Sequence, residues 1–147
     1  MRWLSDDEQR AWRSYLEGTN RLYALLGDDM KRRAGFGQED FEILVRLSEA
    51  PEDRMRMSDL AENTSFSRSR LSHAVARLEA DGLVTRETCD TDRRGTFAVL
   101  TPHGRTVIES LAPHHVTLVR EHLFDHLSAA DVKALQRIFD KVRKSVP

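Results

Sequence analysis

A mainly α-helical fold of about six helices carrying one small β-hairpin is predicted by three observations. Ser58 to Leu100 reads as two short helices followed at once by two strand-like runs, joined by a loop with paired arginines at its tip. Between Ser65 and Leu78 the ionisable residues are Arg68, Arg70, His73 and Arg77 with no Asp or Glu, although acids outnumber bases 24 to 23 over the chain. Charged residues make up 32% of the 147 residues, which favours an ionic, helix-rich surface over a large β-sandwich. Two short helices and a hairpin in that order make a winged helix-turn-helix, and a cationic second helix suits it to DNA.

The elements follow from their boundaries. Ser5 with Glu8 three residues on is a capping box, and Asp6, Asp7 and Glu8 sit where the helix dipole favours acids. The first helix carries Ala11, Trp12, Tyr15, Leu16, Leu22, Tyr23, Leu26 and Met30 at helical spacing, and Lys31 to Arg33 close it before Gly35. Gln38 to Ala50 forms a second helix with Phe41, Leu44, Val45 and Ser48 on one face and Pro51 as its stop. A charged loop leads to a short strand at Met55 to Met57, and Ser58 is placed to cap a helix over Asp59 to Asn63. After a turn at Asn63 to Phe66, a helix starting near Ser67 turns Leu71, Ala74, Val75 and Leu78 inward.

Gly82 suits a left-handed C-terminal cap, with Leu83 folding back on Leu78. Val84 to Thr88 and Thr96 to Leu100 are antiparallel strands around the loop Cys89 to Gly95. Thr101-Pro102 begins a further helix, which Pro113 is expected to kink or split. Ser128 with Asp131 starts the last helix, which is expected to bury Leu135, Ile138, Phe139 and Val142.

Bulk properties exclude several classes. A net charge of −1 leaves no affinity for polyanions through overall charge, so any such affinity depends on arrangement. The single cysteine permits no internal disulfide and indicates a reducing compartment. Met1 to Gln9 lacks the apolar core of a secretory signal, and no apolar run reaches the roughly 20 residues that span a bilayer. A cytoplasmic protein without membrane contact is expected. No G-x-S-x-G, H-E-x-x-H or P-loop pattern occurs, so no catalytic constellation is visible and an enzyme is not expected. No cofactor is called for.

The run from Met57 to Arg105 carries RLEADGLVTR at Arg77 to Arg86, then Asp92, one residue, Arg94, Val99-Leu100-Thr101 and Gly104. This composite resembles the core of the MarR family of bacterial transcriptional regulators, and the helix order on both sides extends the resemblance over essentially the whole chain. It implies one domain over 1–147, with 55–100 as a DNA-binding lobe and 5–50 and 101–145 as dimerisation helices and their support. The first, fifth and sixth helices have apolar stripes longer than a monomer of this size covers, which agrees with a homodimer. Two recognition helices would then enter successive major grooves of double-stranded DNA, about 10 bp apart on a pseudo-palindromic operator.

Roles divide by chemistry. On the recognition helix Ser67, Arg68, Ser69, Arg70, Ser72, His73 and Arg77 are candidates for base edges or phosphates, with Arg70 and His73 as the readers of sequence. In the wing, the resemblance implies that Arg94 enters the minor groove and that Asp92 orients the loop by pairing with it, while Arg93 and Arg86 suit phosphate. Trp12, Tyr15, Tyr23 and Phe41 are candidates to line a pocket for a small-molecule effector, although an aromatic stripe at this spacing is more often core. Two sensing alternatives stay open. Cys89 could respond to oxidants, against the effect of Glu87, Asp90 and Asp92 on its thiolate, and His115, His122 and His126 would share one face of a continuous helix, as metal ligands could. A winged helix that binds protein instead of DNA is the remaining alternative, and it calls for an apolar outer face on the Ser67 to Asp81 helix.

Overall fold

The computed structural model describes residues 1–88 and 95–146. The chain forms two compact units, Met1–Ala112 and Pro113–Pro147.

In the first unit, helix α1 spans Asp6–Ala34. Its capping box is reciprocal: the Glu8 amide donates to Ser5 Oγ at 3.3 Å and the Ser5 amide donates to Glu8 Oε2 at 2.7 Å. Gly35, at φ 78°, ends it by donating to the Lys31 carbonyl. The predicted stripe is only partly inside. Leu26 and Met30 are buried, whereas Trp12, Tyr15, Leu16 and Tyr23 are exposed. Asp29 is buried beside Met30, and Arg33 Nε holds both its oxygens at 2.9 and 3.1 Å.

Helix α2, Gln38–Glu49, is the hub of the unit. It buries Phe41, Ile43, Leu44 and Leu47, a wider face than the predicted one, because α1 and the recognition-lobe elements that follow all pack against it. Val45 and Ser48 are only half-buried. After it, Pro51–Asp53 makes a 3₁₀ turn in which Glu52 and Asp53 are both left-handed at φ 56°. Non-glycine residues hold that conformation only when neighbours enforce it. Arg105 does so: Nε donates to Asp53 Oδ2 at 3.0 Å, Nη2 donates to the Ser48 carbonyl at 3.0 Å, and Nη2 also meets Asp53 Oδ1.

Strand β1, Arg54–Arg56, then pairs antiparallel with β3, Thr96–Leu100, whose other edge takes β2, Val84–Thr88. The expected two-stranded hairpin is therefore the larger part of a three-stranded sheet of order β1-β3-β2, and its own strand limits are as predicted. Helix α3, Met57–Thr64, leaves β1 without a gap, so Arg56 occupies the N-cap position. Ser58 lies inside the helix and donates to Asp59 Oδ1 instead of capping. Ser65, left-handed at φ 56°, closes α3.

Helix α4, Arg68–Ala80, is capped by Ser67 Oγ, which accepts from the Arg70 amide at 3.2 Å. Leu71, Ala74, Val75 and Leu78 are buried as predicted. Its end is a Schellman motif: Gly82, at φ 71°, donates to the Glu79 carbonyl and Leu83 to that of Leu78. The start of helix α5, Pro102–His122, is fastened to this end. Thr101 Oγ1 donates to the Gly82 carbonyl at 2.7 Å and accepts from the Gly104 amide at 2.9 Å.

Helix α5 does not split at Pro113. The missing proline N–H would have met the Glu109 carbonyl, and both residues lie on the exposed side where water can serve that oxygen. The interruption comes instead at Leu123, followed by a 3₁₀ turn over Phe124–His126. The second unit ends with helix α6, Ala129–Ser145, whose Ser128–Asp131 capping box is present. The four residues that α6 was expected to bury are not buried within this chain, in keeping with a stripe longer than one chain covers: Ile138, Phe139 and Val142 are 48, 39 and 45% exposed and Leu135 is half-buried. Among the described residues no helix is long and apolar enough to cross a membrane.

Two outcomes follow from this packing. A Cβ on Gly104 would lie 2.2 Å from the Leu83 carbonyl oxygen and 2.7 Å from Leu100 Cδ1. Gly104→Ala is therefore expected to destabilise the protein by about 1–3 kcal/mol, read as a lowered midpoint in denaturant unfolding. The hydrogen bond from Arg105 holds the Asp53 carboxyl below its ordinary value. A carboxylate whose folded pKa is depressed stabilises the fold above its ordinary range and loses that contribution as pH falls through the folded value. The stability difference between wild type and Arg105→Gln should thus be full at neutral pH and shrink as pH drops below about 4, measured by unfolding at a series of pH values.

Candidate nucleic-acid interface

The inward stripe of α4 determines what its other side displays. With Leu71, Ala74, Val75 and Leu78 buried, the helical period turns Arg68, Ser69, Ser72, His73 and Arg77 outward, and these, with Ser67, Arg70 and Arg86 of β2, are all exposed. The structure thus brings the seven predicted recognition-helix residues and Arg86 onto one lobe. Asp92, Arg93, Arg94 and Cys89 lie outside the described residues.

The face is less naked than its own sequence implies. Acids arrive from neighbouring segments. Arg70 Nε donates to Glu39 Oε2 at 3.1 Å and its Nη2 to Glu39 Oε1, while Arg77 Nη2 donates to Asp40 Oδ1 at 2.8 Å. Arg86 Nη2 donates to the Ser72 carbonyl at 2.8 Å, and its Nε stands 3.7 Å from Glu79 Oε2. Glu39 and Asp40 belong to the first turn of α2, and nothing in the sequence pattern singled them out. The hydrogen bond from Arg70 lowers the Glu39 pKa, and the same bond raises that of Arg70, so both stay charged. Phe66 lies under the Arg70 guanidinium, 4.9 Å from ring centroid to Cζ. Arg68 and His73 pair with no acid among the described residues.

Beside α4 runs a groove of about 420 Å³, lined by Arg56, Ser58, Arg68, Ser72, Arg86 and Thr96 among others. Three guanidinium groups and the hydroxyls of Ser72 and Thr96 along one groove are a donor set for phosphate oxygens. Arg56 and Arg54 were not foreseen. Both stack over Phe97 of β3, at 5.4 and 4.2 Å, because Arg54 and Arg56 are two residues apart and share one face of β1. The Arg-Met-Arg alternation was the available signal.

The four aromatic pocket candidates are not brought together. Phe41 is a core residue at 2% exposure, Trp12 stacks on Tyr15 at 5.7 Å, and Tyr23 is exposed about 12 Å further along the helix. A separate cavity of about 420 Å³ at the end of α1 is lined by Arg33, Gly35, Phe36, Asp81, His103 and Ser110 among others, and by none of those four. The three histidines do not share a helix face either. His122 is the last residue of α5 and His126 lies in the 3₁₀ turn. No cluster of three or more His, Cys, Asp or Glu suited to a metal occurs among the described residues.

Known proteins share this fold. The chain is 44% identical to Sco3205 of Streptomyces coelicolor, a MarR family transcriptional regulator solved in complex with DNA, over 99% of this chain and 91% of that one, with a TM-score of 0.96. The chain belongs to the MarR family of transcriptional regulators. The MarR family model itself matches residues 34–95, the stretch holding α2, β1, α3, α4 and β2. AbsC, another MarR family regulator of Streptomyces coelicolor, is 48% identical with a TM-score of 0.94 over 99% of this chain and 97% of its own. The transcriptional repressor YetL of Bacillus subtilis is 26% identical over 111 residues, 74% of this chain and 66% of its own length. The winged-helix fold of this MarR protein is thus the predicted one.

The Arg77–Asp40 pair has a stability consequence, since Asp40 is only 5% exposed. Arg77→Leu leaves that carboxylate short of a partner and is expected to cost about 1–2 kcal/mol, measured by denaturant unfolding. Asp40→Asn in the same background should recover part of the loss.

Proposed function

We propose that this MarR protein is a homodimeric, sequence-specific repressor that binds a pseudo-palindromic operator in double-stranded DNA and acts in the cytoplasm. The observation that carries the reading is the exposed face of α4, with Arg68, Ser69, Ser72 and His73 next to an arginine-lined groove. Support comes from Sco3205, whose structure is a complex with DNA, and from YetL, a repressor. The two relatives are regulators and not enzymes, and enzymatic activity forms no part of the proposal. A protein-docking winged helix would need an apolar outer face on α4, whereas this one presents arginine, serine and histidine.

In this reading α4 enters the major groove and its arginines and hydroxyls divide between base edges and phosphates, with Arg70 and His73 as readers. The wing residues Arg94, Arg93 and Asp92 serve the minor groove and adjoining backbone. The exposed apolar side chains Trp12, Tyr15 and Leu16 of α1, and Ile138, Phe139 and Val142 of α6, supply the contact between protomers. A second copy sets half-sites about one helical turn apart. A small molecule that binds the DNA-incompetent geometry more tightly would release the operator, as linkage requires.

Fluorescence anisotropy with a duplex from the region upstream of the protein's own gene tests this, with salt titration. Tight binding with a steep salt dependence is expected, and no binding at low salt overturns the proposal. Arg68→Ala and Arg94→Ala should each weaken binding to all duplexes alike and reduce the slope of log K against log salt by about 1. Wild-type behaviour of Arg94→Ala would refute the wing assignment.

A further inference from the structure

We propose that Glu39 is a positioning residue that fixes Arg70 for the reading of guanine, an inference that rests on the DNA-binding reading above. Arg70 lies in the first turn of α4, the part of a recognition helix that meets base edges. A guanidinium has two donor forks: the side-on fork of Nε and one Nη, and the end-on fork of the two Nη groups. Glu39 takes the side-on fork, with Nε donating to Oε2 and Nη2 to Oε1. The end-on fork has no partner among the described residues, and the Arg70 side chain is 55% exposed. Phe66 covers one face of the same plane. One edge and one face are thereby occupied, and the remaining edge offers two parallel N–H groups.

That edge matches guanine. Its O6 and N7 accept two hydrogen bonds side by side, whereas adenine places an N–H donor where O6 would be. A loose arginine reaches many acceptors, phosphates included, and must give up rotamer freedom to bind any of them. One already clamped by a carboxylate gives up less and can follow fewer alternatives. Glu39 need not leave for DNA to bind, because the base and the carboxylate use different forks. Its own charge nevertheless lies close to where phosphates pass, so it opposes binding in general while sharpening the choice of base. The two effects of removing it therefore have opposite signs.

The test is selection from a pool of duplexes randomised across one half-site, using the full chain and sequencing the bound fraction. Wild type should show a guanine preference at one position per half-site that Arg70→Ala abolishes. Glu39→Ala should reduce that preference by about three- to tenfold while affinity for the pool stays level or rises. Glu39→Gln, which keeps one acceptor, should fall between them, and thermal melting establishes that each variant is folded. Full guanine preference in both Glu39 variants overturns the inference, as does a uniform fall in affinity with the preference intact. Persistence of the preference in Arg70→Ala overturns it too, by removing the reader. Those three results leave DNA binding standing; failure of wild type to retain any duplex removes the DNA reading and this inference together.

Discussion

Burial of Leu71, Ala74, Val75 and Leu78 sets the rotation of α4 about its own axis, and everything the exposed face can do depends on that rotation. A slip by one residue would turn the stripe by about 100° and carry the arginines toward the core. The hub helix α2 is what prevents the slip. Its Phe41, Ile43, Leu44 and Leu47 supply the apolar partners, and its first turn sends Glu39 and Asp40 to Arg70 and Arg77. One helix thus anchors α4 through both its apolar and its ionic sides.

This arrangement also explains how a chain with net charge −1 can present a cationic surface. Acids are not absent from the lobe; they are spent on particular guanidinium groups. Arg70, Arg77 and Arg86 are restrained by carboxylates or a carbonyl, while Arg68 has no acid beside it among the described residues. Restrained and unrestrained arginines suit different tasks, since geometry matters for a base edge and charge alone suffices for a phosphate.

Most of the fold was legible because its signals are local. Ser5–Glu8 and Ser128–Asp131 are reciprocal caps, Gly82-Leu83 is a helix stop, and the strand limits at Val84–Thr88 and Thr96–Leu100 follow from turn chemistry. What escaped was long-range or dependent on context. Ser58 has the right chemistry for a cap, but β1 runs straight into α3 and leaves it two places past the N-cap. Pro113 was expected to kink or split the helix, and its exposed position lets the helix run on without a split. The apolar stripe of α6 was legible as more than one chain covers, although nothing in a periodicity says which surface will cover it. In the candidate interface the α4 residues were legible from period and charge, whereas Glu39 and Asp40 lie more than 30 residues away in sequence and carry no local mark of their partnership.

The Thr101 hydroxyl, shared between the Gly82 carbonyl and the Gly104 amide, has a mechanical consequence. It is reinforced by the Thr101 amide on the Leu83 carbonyl and by a Gly104 backbone that approaches the same oxygen with no side chain between. The tail of α4 and the head of α5 are therefore tied to each other by several hydrogen bonds at one point. A displacement of the first turn of α5 bears directly on the end of α4 through these bonds.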